Sequence, residues 1–288
     1  MKNSDIKDPL FLQAVTAIDT GNISVLKELL YKNPTLIHKP LDFPEEGYFK
    51  NPYLLFFIAD NPIRNKKLAA NIVDVARVLV EHAKETGADN LQYQLDYTLG
   101  LVDTGSVPRE AGVQIMLMDL LIDHGATPGS GVGALAHHNI EAAKHLIKRG
   151  GKLTLAVAVC LDFTDEIPDL VKTAGPEDRL MALIAAAYYG NADKVNFLLS
   201  IGADPNGYLK KDSGFHSHAT ALHQAVYSGS IESVKALTKA GARLDLTDRA
   251  FNGTPLGWAY YMQTEDGVDL ELKKKYMAIE EYLKTLKG

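Results

Sequence analysis

The sequence predicts an all-α fold made of stacked pairs of short helices, a solenoid, and two observations support this prediction. The interval from Thr220 to Thr254 is about 34 residues, the length of one helical repeat, and each threonine precedes an apolar helical pattern. Gly241-Ala242 follows the second helix of the unit that starts at Thr220, where a helix-ending glycine is expected. A fixed period of this length is typical of repeat proteins, in which each unit buries its apolar face only against its neighbours.

Apolar residues at positions i, i+3 and i+4 predict seven or eight such units along the chain. The core positions predicted for the four clear units are Ala14, Ala17, Ile18, Ile23, Leu26 and Leu29; Ala134, Leu135, Ile140, Ala143, Leu146 and Ile147; Leu183, Ala186, Ala187, Ala192, Val195 and Leu198; and Leu222, Ala225, Val226, Ile231, Val234 and Leu237. Degenerate units are predicted over 53–83, 93–124 and 153–172. We expect one solenoid over 1–288, capped by a charged C-terminal helix at 270–286.

The best unit carries a pattern that resembles the ankyrin repeat. Thr220-Ala221-Leu222-His223 opens the first helix, Gly229 precedes the second, and Gly241-Ala242 closes it. The resemblance implies a protein or peptide binding module that acts through its concave and finger surface and is not an enzyme. It also implies that His223 forms hydrogen bonds within and between repeats. The last unit departs from the pattern, because Gly257 stands where the histidine is expected.

The spacing of the closing glycines predicts irregular fingers in the middle of the solenoid. The intervals between Gly125, Gly150, Gly175 and Gly202 are each shorter than the roughly 33 residues of an ankyrin unit with its hairpin finger. The next interval, from Gly202 to Gly241, is longer than such a unit. We therefore expect missing or shortened fingers in the middle, a long finger at 205–219, and a central gap between that finger and an inserted loop at 103–112.

Polar and aromatic residues that the repeat scaffold does not require gather in these loops and in the last unit. Long loops often carry function, and aromatic, arginine and histidine side chains are favoured at binding centres. The predicted binding residues are Arg64, Arg109, Glu110, His137, Tyr208, Phe215, His216, His218 and Trp258. Two alternatives stay open: these loops only cover neighbouring units, or the central gap holds a small-molecule or metal-dependent site, even a catalytic one.

Other signals for chemistry are weak in this sequence. The histidines match no metal-ligand spacing, so we predict no metal and no cofactor. The glycine-rich run at 129–133 lacks the lysine of a phosphate-binding P-loop and is interpreted as a tight turn. Cys160 lies in an apolar helical pattern, where a thiol is an inert buried group.

Composition restricts the partners and the compartment. The formal net charge is −6 over 288 residues, which disfavours nucleic acid, because nucleic-acid binding needs an excess of basic residues. One cysteine allows no intrachain disulfide, which fits a reducing compartment. The first residues lack the apolar core of a signal peptide, and no apolar stretch of about 18 residues is present to span a membrane. We therefore predict a cytoplasmic protein whose partner is an unidentified protein or peptide, with no nucleic acid and no membrane involved.

Overall fold

The computed structural model describes residues 2–44, 47–210 and 214–286, and every regular element within these ranges is a helix. This confirms the all-α fold class. The chain divides into two compact units, residues 1–152 and 153–288. A single solenoid over the whole chain stays a prediction, and each unit is described by itself.

The first unit consists of short helices joined by turns and two longer connections. After a short 3-10 helix at Asn3–Asp5, its helices are α1 (Pro9–Thr20), α2 (Ile23–Lys32), α3 (Thr35–His38), a 3-10 helix at Leu54–Ala59, α4 (Ile72–Glu85), α5 (Leu91–Thr104), α6 (Ser106–Glu110), α7 (Gln114–Asp123), α8 (Val132–Ala136) and α9 (Ile140–Lys148).

Local sequence sets the ends of these helices. Helix α1 starts where the Asp8 carboxylate accepts hydrogen bonds from two backbone N–H groups and where Pro9 supplies the first helical position, as helix N-termini favour. It ends at Gly21, whose φ of +69° is a left-handed conformation that glycine adopts without strain.

Several local predictions for this unit were wrong, including Ile140 as a core position, since 38% of its surface is exposed. In α2 the buried leucines are Leu26 and Leu30, whereas Leu29 is partly exposed, because residues four apart share a helix face. The helix predicted at 53–59 is a 3-10 helix whose six residues, Leu54–Ala59, are all buried. The insertion at 103–112 is largely helical, since it contains the end of α5 and all of α6.

The second unit is more regular. Its helices are α10 (Leu155–Cys160), α11 (Ile167–Thr173), α12 (Pro176–Tyr188), α13 (Ala192–Ser200), α14 (Ala221–Tyr227), α15 (Ile231–Lys239), α16 (Pro255–Thr264) and α17 (Leu270–Thr285). The first helices of successive pairs pack on one another, α12 on α10 and α14, and α14 on α16. Helices α13, α15, α16 and α17 each begin at a residue whose side chain accepts a backbone N–H. These residues are, in the same order, Asn191, Ser230, Thr254 and Asp269.

The connections agree with the predicted finger lengths. Only 174–175 separate α11 from α12, whereas 201–220 separate α13 from α14. The predicted cap over 270–286 coincides with α17, which buries Tyr276, Ile279 and Leu283.

Replacing a core leucine tests the helix register of α13. Leu198 is fully buried and its neighbour Phe197 is 37% exposed. We expect Leu198→Ala to lower the free energy of unfolding by about 2–5 kcal/mol, through lost burial and the cavity left behind, as measured by urea denaturation. Phe197→Ala is the matched control and should cost clearly less. Equal losses for the two variants would contradict this register.

Helix α11 should be the first element of its unit to open. None of its residues is buried, and segments with few buried apolar contacts open at low free energy. In native-state hydrogen exchange, amides of α11 should exchange before those of α12, which buries eight side chains. Equal protection of the two helices would disprove this prediction.

Candidate functional site

Two finger segments of the second unit are hydrogen-bonded to each other, and we call 205–219 the first finger and 242–253 the second. The Asn206 side chain donates to the Gly241 carbonyl at 3.0 Å and accepts the backbone N–H of Arg243 at 2.8 Å. Further along, the Tyr208 hydroxyl donates to the Thr247 carbonyl at 2.6 Å. These bonds hold the described parts of the two fingers side by side.

A buried carboxylate, Asp248, organises the second finger. One oxygen accepts the backbone N–H groups of Ala250 and Phe251, and the other accepts that of Gly253 and the indole N–H of Trp258 at 3.0 Å. Burial alone would raise the pKa of this carboxyl, but the donors from Phe251, Trp258 and Gly253 outweigh it and lower the pKa below its ordinary value. Asp248 therefore carries a fixed negative charge against the Trp258 ring.

His223 ties the start of α14 to the second finger. Its Nδ1 lies 2.8 Å from the Thr220 hydroxyl, and its Nε2 lies 3.0 Å from the Gly253 carbonyl. Because a carbonyl only accepts hydrogen bonds, Nε2 carries the proton. Burial lowers the pKa of this imidazole to about 4, against the opposing effect of the bond to Gly253. His223 is thus neutral and structural, as the sequence predicted.

The first finger holds two consecutive residues in a strained backbone conformation. Phe215 and His216 both have φ of +48°, a left-handed conformation that is uncommon for residues with a side chain. The Gln224 side-chain amide donates to the carbonyls of both residues, and the Phe215 ring is buried against Tyr188. Such strain persists only where the surroundings enforce it and is concentrated at functional sites.

Between the two fingers and α16 lies a cavity of about 480 Å³, which we call the aromatic cavity. Its lining residues are His216, His218, Tyr227, Phe251, Gly253, Gly257, Trp258, Tyr261 and Met262. The Trp258 ring centroid lies 5.7 Å from that of His216 and 6.0 Å from that of His218. Most of the lining is aromatic, and none of the described lysines or arginines contributes to it.

The structure brings together three of the predicted binding residues of this unit, His216, His218 and Trp258, at the aromatic cavity. Phe215 is part of the hydrophobic core, because only 2% of its surface is exposed. Tyr208 stands apart from the lining, under the Arg249 guanidinium, which lies 4.1 Å from its ring centroid.

In the first unit, the predicted residues Arg109, Glu110 and His137 form a polar cluster. Arg109 donates to the His137 carbonyl at 3.4 Å and to the Asn139 side chain, and its guanidinium lies 4.0 Å from the Glu110 carboxylate. The Arg109 and Glu110 side chains are exposed. The site predicted in the central gap involves residues of both units and stays a prediction.

Arg64 does not have the accessible position that the sequence suggested. Only 3% of its side chain is exposed, and its guanidinium pairs with Asp19 at 2.8 Å and with Asp60 at 3.8 Å. It also donates to the Asn3 side chain and lies 4.9 Å from the Phe57 ring centroid. These buried ion pairs fix the loop that contains Arg64. The Arg64 side chain is therefore not available to contact a partner.

Sequence reasoning missed several residues of the site, above all Asp248. The sequence feature that could have identified Asp248 is its place in a turn five residues before Gly253. Aspartate side chains in turns accept hydrogen bonds from nearby backbone N–H groups. Tyr227, Phe251 and Met262 were missed as well, because only the approach of separate segments places them on one cavity.

Among the described residues, no three His, Cys, Asp or Glu side chains lie close enough together to hold a metal ion. None of the described helices combines the length and the apolar character needed to cross a bilayer. The Cys160 thiol is largely buried, and burial raises its pKa to about 12.

The stability of the protein should fall as the pH is lowered from about 6.5 to 4, because the unfolded state then binds a proton at His223 that the folded state excludes. The lowered pKa of His223 predicts a loss of about 2 kcal/mol in the free energy of unfolding between pH 7.5 and pH 5, measured by urea denaturation. His223→Gln should be less stable at pH 7.5 but lose less on acidification. An unchanged pH dependence in His223→Gln would contradict the assignment.

Comparisons with known proteins agree with this architecture. Residues 131–248 match the family model of ankyrin repeats, in three copies. Ankyrin repeat protein nuc-2 of Neurospora crassa is 28% identical over 141 residues, which are 48% of this chain. The match spans only 12% of the length of that protein.

Among solved structures, the ankyrin repeat domain of Bcl-3, a member of the IkappaB protein family, matches at 20% identity with a TM-score of 0.32. This alignment covers 88% of the present chain and 93% of that domain. Residues 131–248 are ankyrin repeats.

Proposed function

We propose that the chain binds a protein or peptide through the finger surface of its second unit, with the aromatic cavity at the centre of the contact. The observation that carries this proposal is the cavity itself, a recess of about 480 Å³ lined by rings from both fingers, α14 and α16. Recesses that are mostly apolar, with a few fixed polar groups, are where a ligand gains most from leaving water.

The residues around the recess have the composition of an interface centre. Phe251 is 78% exposed, and Tyr261 is also largely exposed. Tryptophan and tyrosine are enriched among the residues that contribute most binding free energy, because they bury a large surface and lose little conformational freedom. A partner that covers the Phe251 and Tyr261 rings would also contact Trp258, which lines the same recess.

The site is organised before any partner arrives. Trp258 is held by Asp248, and the backbone of Phe215 and His216 is held by Gln224. Groups that are already ordered cost little entropy when they bind. We propose Arg109, Glu110 and His137 as a separate polar contact surface on the first unit.

A peptide selection tests this function. Random peptides displayed on phage are selected against the full chain, and recovered peptides are measured by isothermal titration. We expect peptides whose affinity for Gly257→Leu is at least about tenfold weaker, because a leucine side chain at this position projects into the cavity. The substitution is tolerable for the fold: a Cβ at Gly257 meets only the Thr254 hydroxyl, at 3.5 Å.

Gly100→Leu is the matched control. It makes the same chemical change in a helix of the first unit, at a glycine whose added Cβ meets no atom within 4 Å. Peptides should bind this variant like the unmodified chain. Selection of no peptide, or of peptides that Gly257→Leu binds equally well, would reject the aromatic cavity as the binding site.

A further inference from the structure

We infer that the aromatic cavity accepts a cationic side chain of the partner, a lysine or an arginine. This inference rests on the proposed function, and it assigns the chemistry of the residue that enters the recess. Three features of the cavity support it: the nature of its walls, the charges beside them, and the missing side chain at position 257.

The walls contain aromatic rings from several elements. Trp258 and Tyr261 come from α16, Tyr227 from the end of α14, and Phe251 from the second finger. The face of an aromatic ring carries partial negative charge and attracts a cation within about 6 Å of its centre, most strongly for tryptophan. A cation in this recess would meet several such rings at once.

The charges beside the walls have the sign that a cation needs. The ionised Asp248 carboxylate accepts the Trp258 indole N–H at 3.0 Å, which draws the ring proton toward the oxygen and enriches the ring face in electrons. The Glu265 carboxylate also interacts with the Tyr261 hydroxyl and raises its pKa above the ordinary value. Among the residues that the structure describes, no lysine or arginine lines the cavity to provide a countercharge.

The His216 imidazole does not replace that countercharge at neutral pH. Burial lowers the pKa of His216 below its ordinary value, so its ring is neutral at pH 7. The Nε2 atom of His218 lies 3.9 Å from the Asp248 carboxylate, on the side of the carboxylate rather than in open solvent. The described lining is therefore mainly aromatic, with the Asp248 carboxylate bonded to the Trp258 indole.

The room for a guest comes from one departure from the repeat pattern. His223 and Gly257 each lie three residues after a threonine that starts a helix, Thr220 in α14 and Thr254 in α16. In α14 this position is filled by an imidazole that bonds the next finger. In α16 it carries no side chain, and Gly257 instead lines the cavity.

The chain offers a direct test, because Trp258 is its single tryptophan. Growth with 5-fluorotryptophan, or with more heavily fluorinated tryptophans, replaces this ring alone and withdraws electrons from its face with little change in size. Binding is followed by the fluorescence of this residue, with tetramethylammonium chloride as the probe at ionic strength held constant with sodium chloride. tert-Butanol, a neutral molecule of similar shape, is the control.

We expect tetramethylammonium to change the fluorescence saturably. The affinity for tert-butanol should be at least about tenfold weaker, because the aromatic ring attracts the positive charge, which tert-butanol lacks. Affinity for the cation should fall stepwise with each added fluorine, and it should be lost in Gly257→Leu but kept in Gly100→Leu. Equal binding of the two probes, or no dependence on fluorination, would overturn the inference.

Peptides separate this inference from the proposed function. In the peptides selected above, replacing the critical lysine by norleucine, or the critical arginine by citrulline, should weaken binding at least about tenfold. Peptides that bind the cavity through a neutral residue would uphold the function and overturn the cationic guest. Binding of tetramethylammonium without any selected peptide would uphold the cation site and reject the proposed function.

Discussion

No helix pair of this protein can bury its apolar face alone, and this constraint shapes both compact units. Helix α12 shows it most clearly, since residues 182–188 are all buried and alanines make up most of the run. Small side chains let α10, α13 and α14 pack closely around this helix. The stability of each pair therefore depends on its neighbours, as in repeat proteins generally.

Helix stacking does not fix the connecting segments. Polar contacts hold these segments in place. In the second unit this task falls to a few buried groups: Asp248 binds its own finger and Trp258, while His223 and Gln224 reach from α14 to the second and the first finger. Each bond is made out of contact with bulk water, where an unpaired polar group would be costly. The fingers are thereby fixed to the helices without any regular strand among the described residues.

The same polar contacts give the aromatic cavity its chemistry. Asp248 orients Trp258 and places a negative charge next to it, and Gln224 maintains the strained backbone that presents His216. A site built this way loses little freedom when a partner binds. The same residues therefore serve the structure and the proposed function. Variants at Asp248 or Gln224 would disturb both. Gly257 lines the cavity but makes no side-chain contact that holds the fingers in place.

The sequence by itself determined most of the helices, their pairing, the ankyrin repeats at 131–248 and the long connection before α14, but not the helix within the insertion at 103–112. These features follow from local patterns: apolar spacing along Leu183 to Leu198, capping residues such as Thr254, and the interval between closing glycines. Residues a few positions apart carry that information, so one sequence was enough to predict it.

Only the tertiary structure decided which of the predicted side chains face a cavity. Arg64 is buried in an ion pair with Asp19, which lies 45 residues away in the sequence. Local sequence patterns do not extend over such a separation, so they could not predict this burial. Phe251 joins His216 and Trp258 at one recess, and Asp248 bonds the Trp258 indole, because two fingers and a helix approach one another. The identity of each helix was a local property, whereas the site arose from contacts between segments that are distant in the sequence.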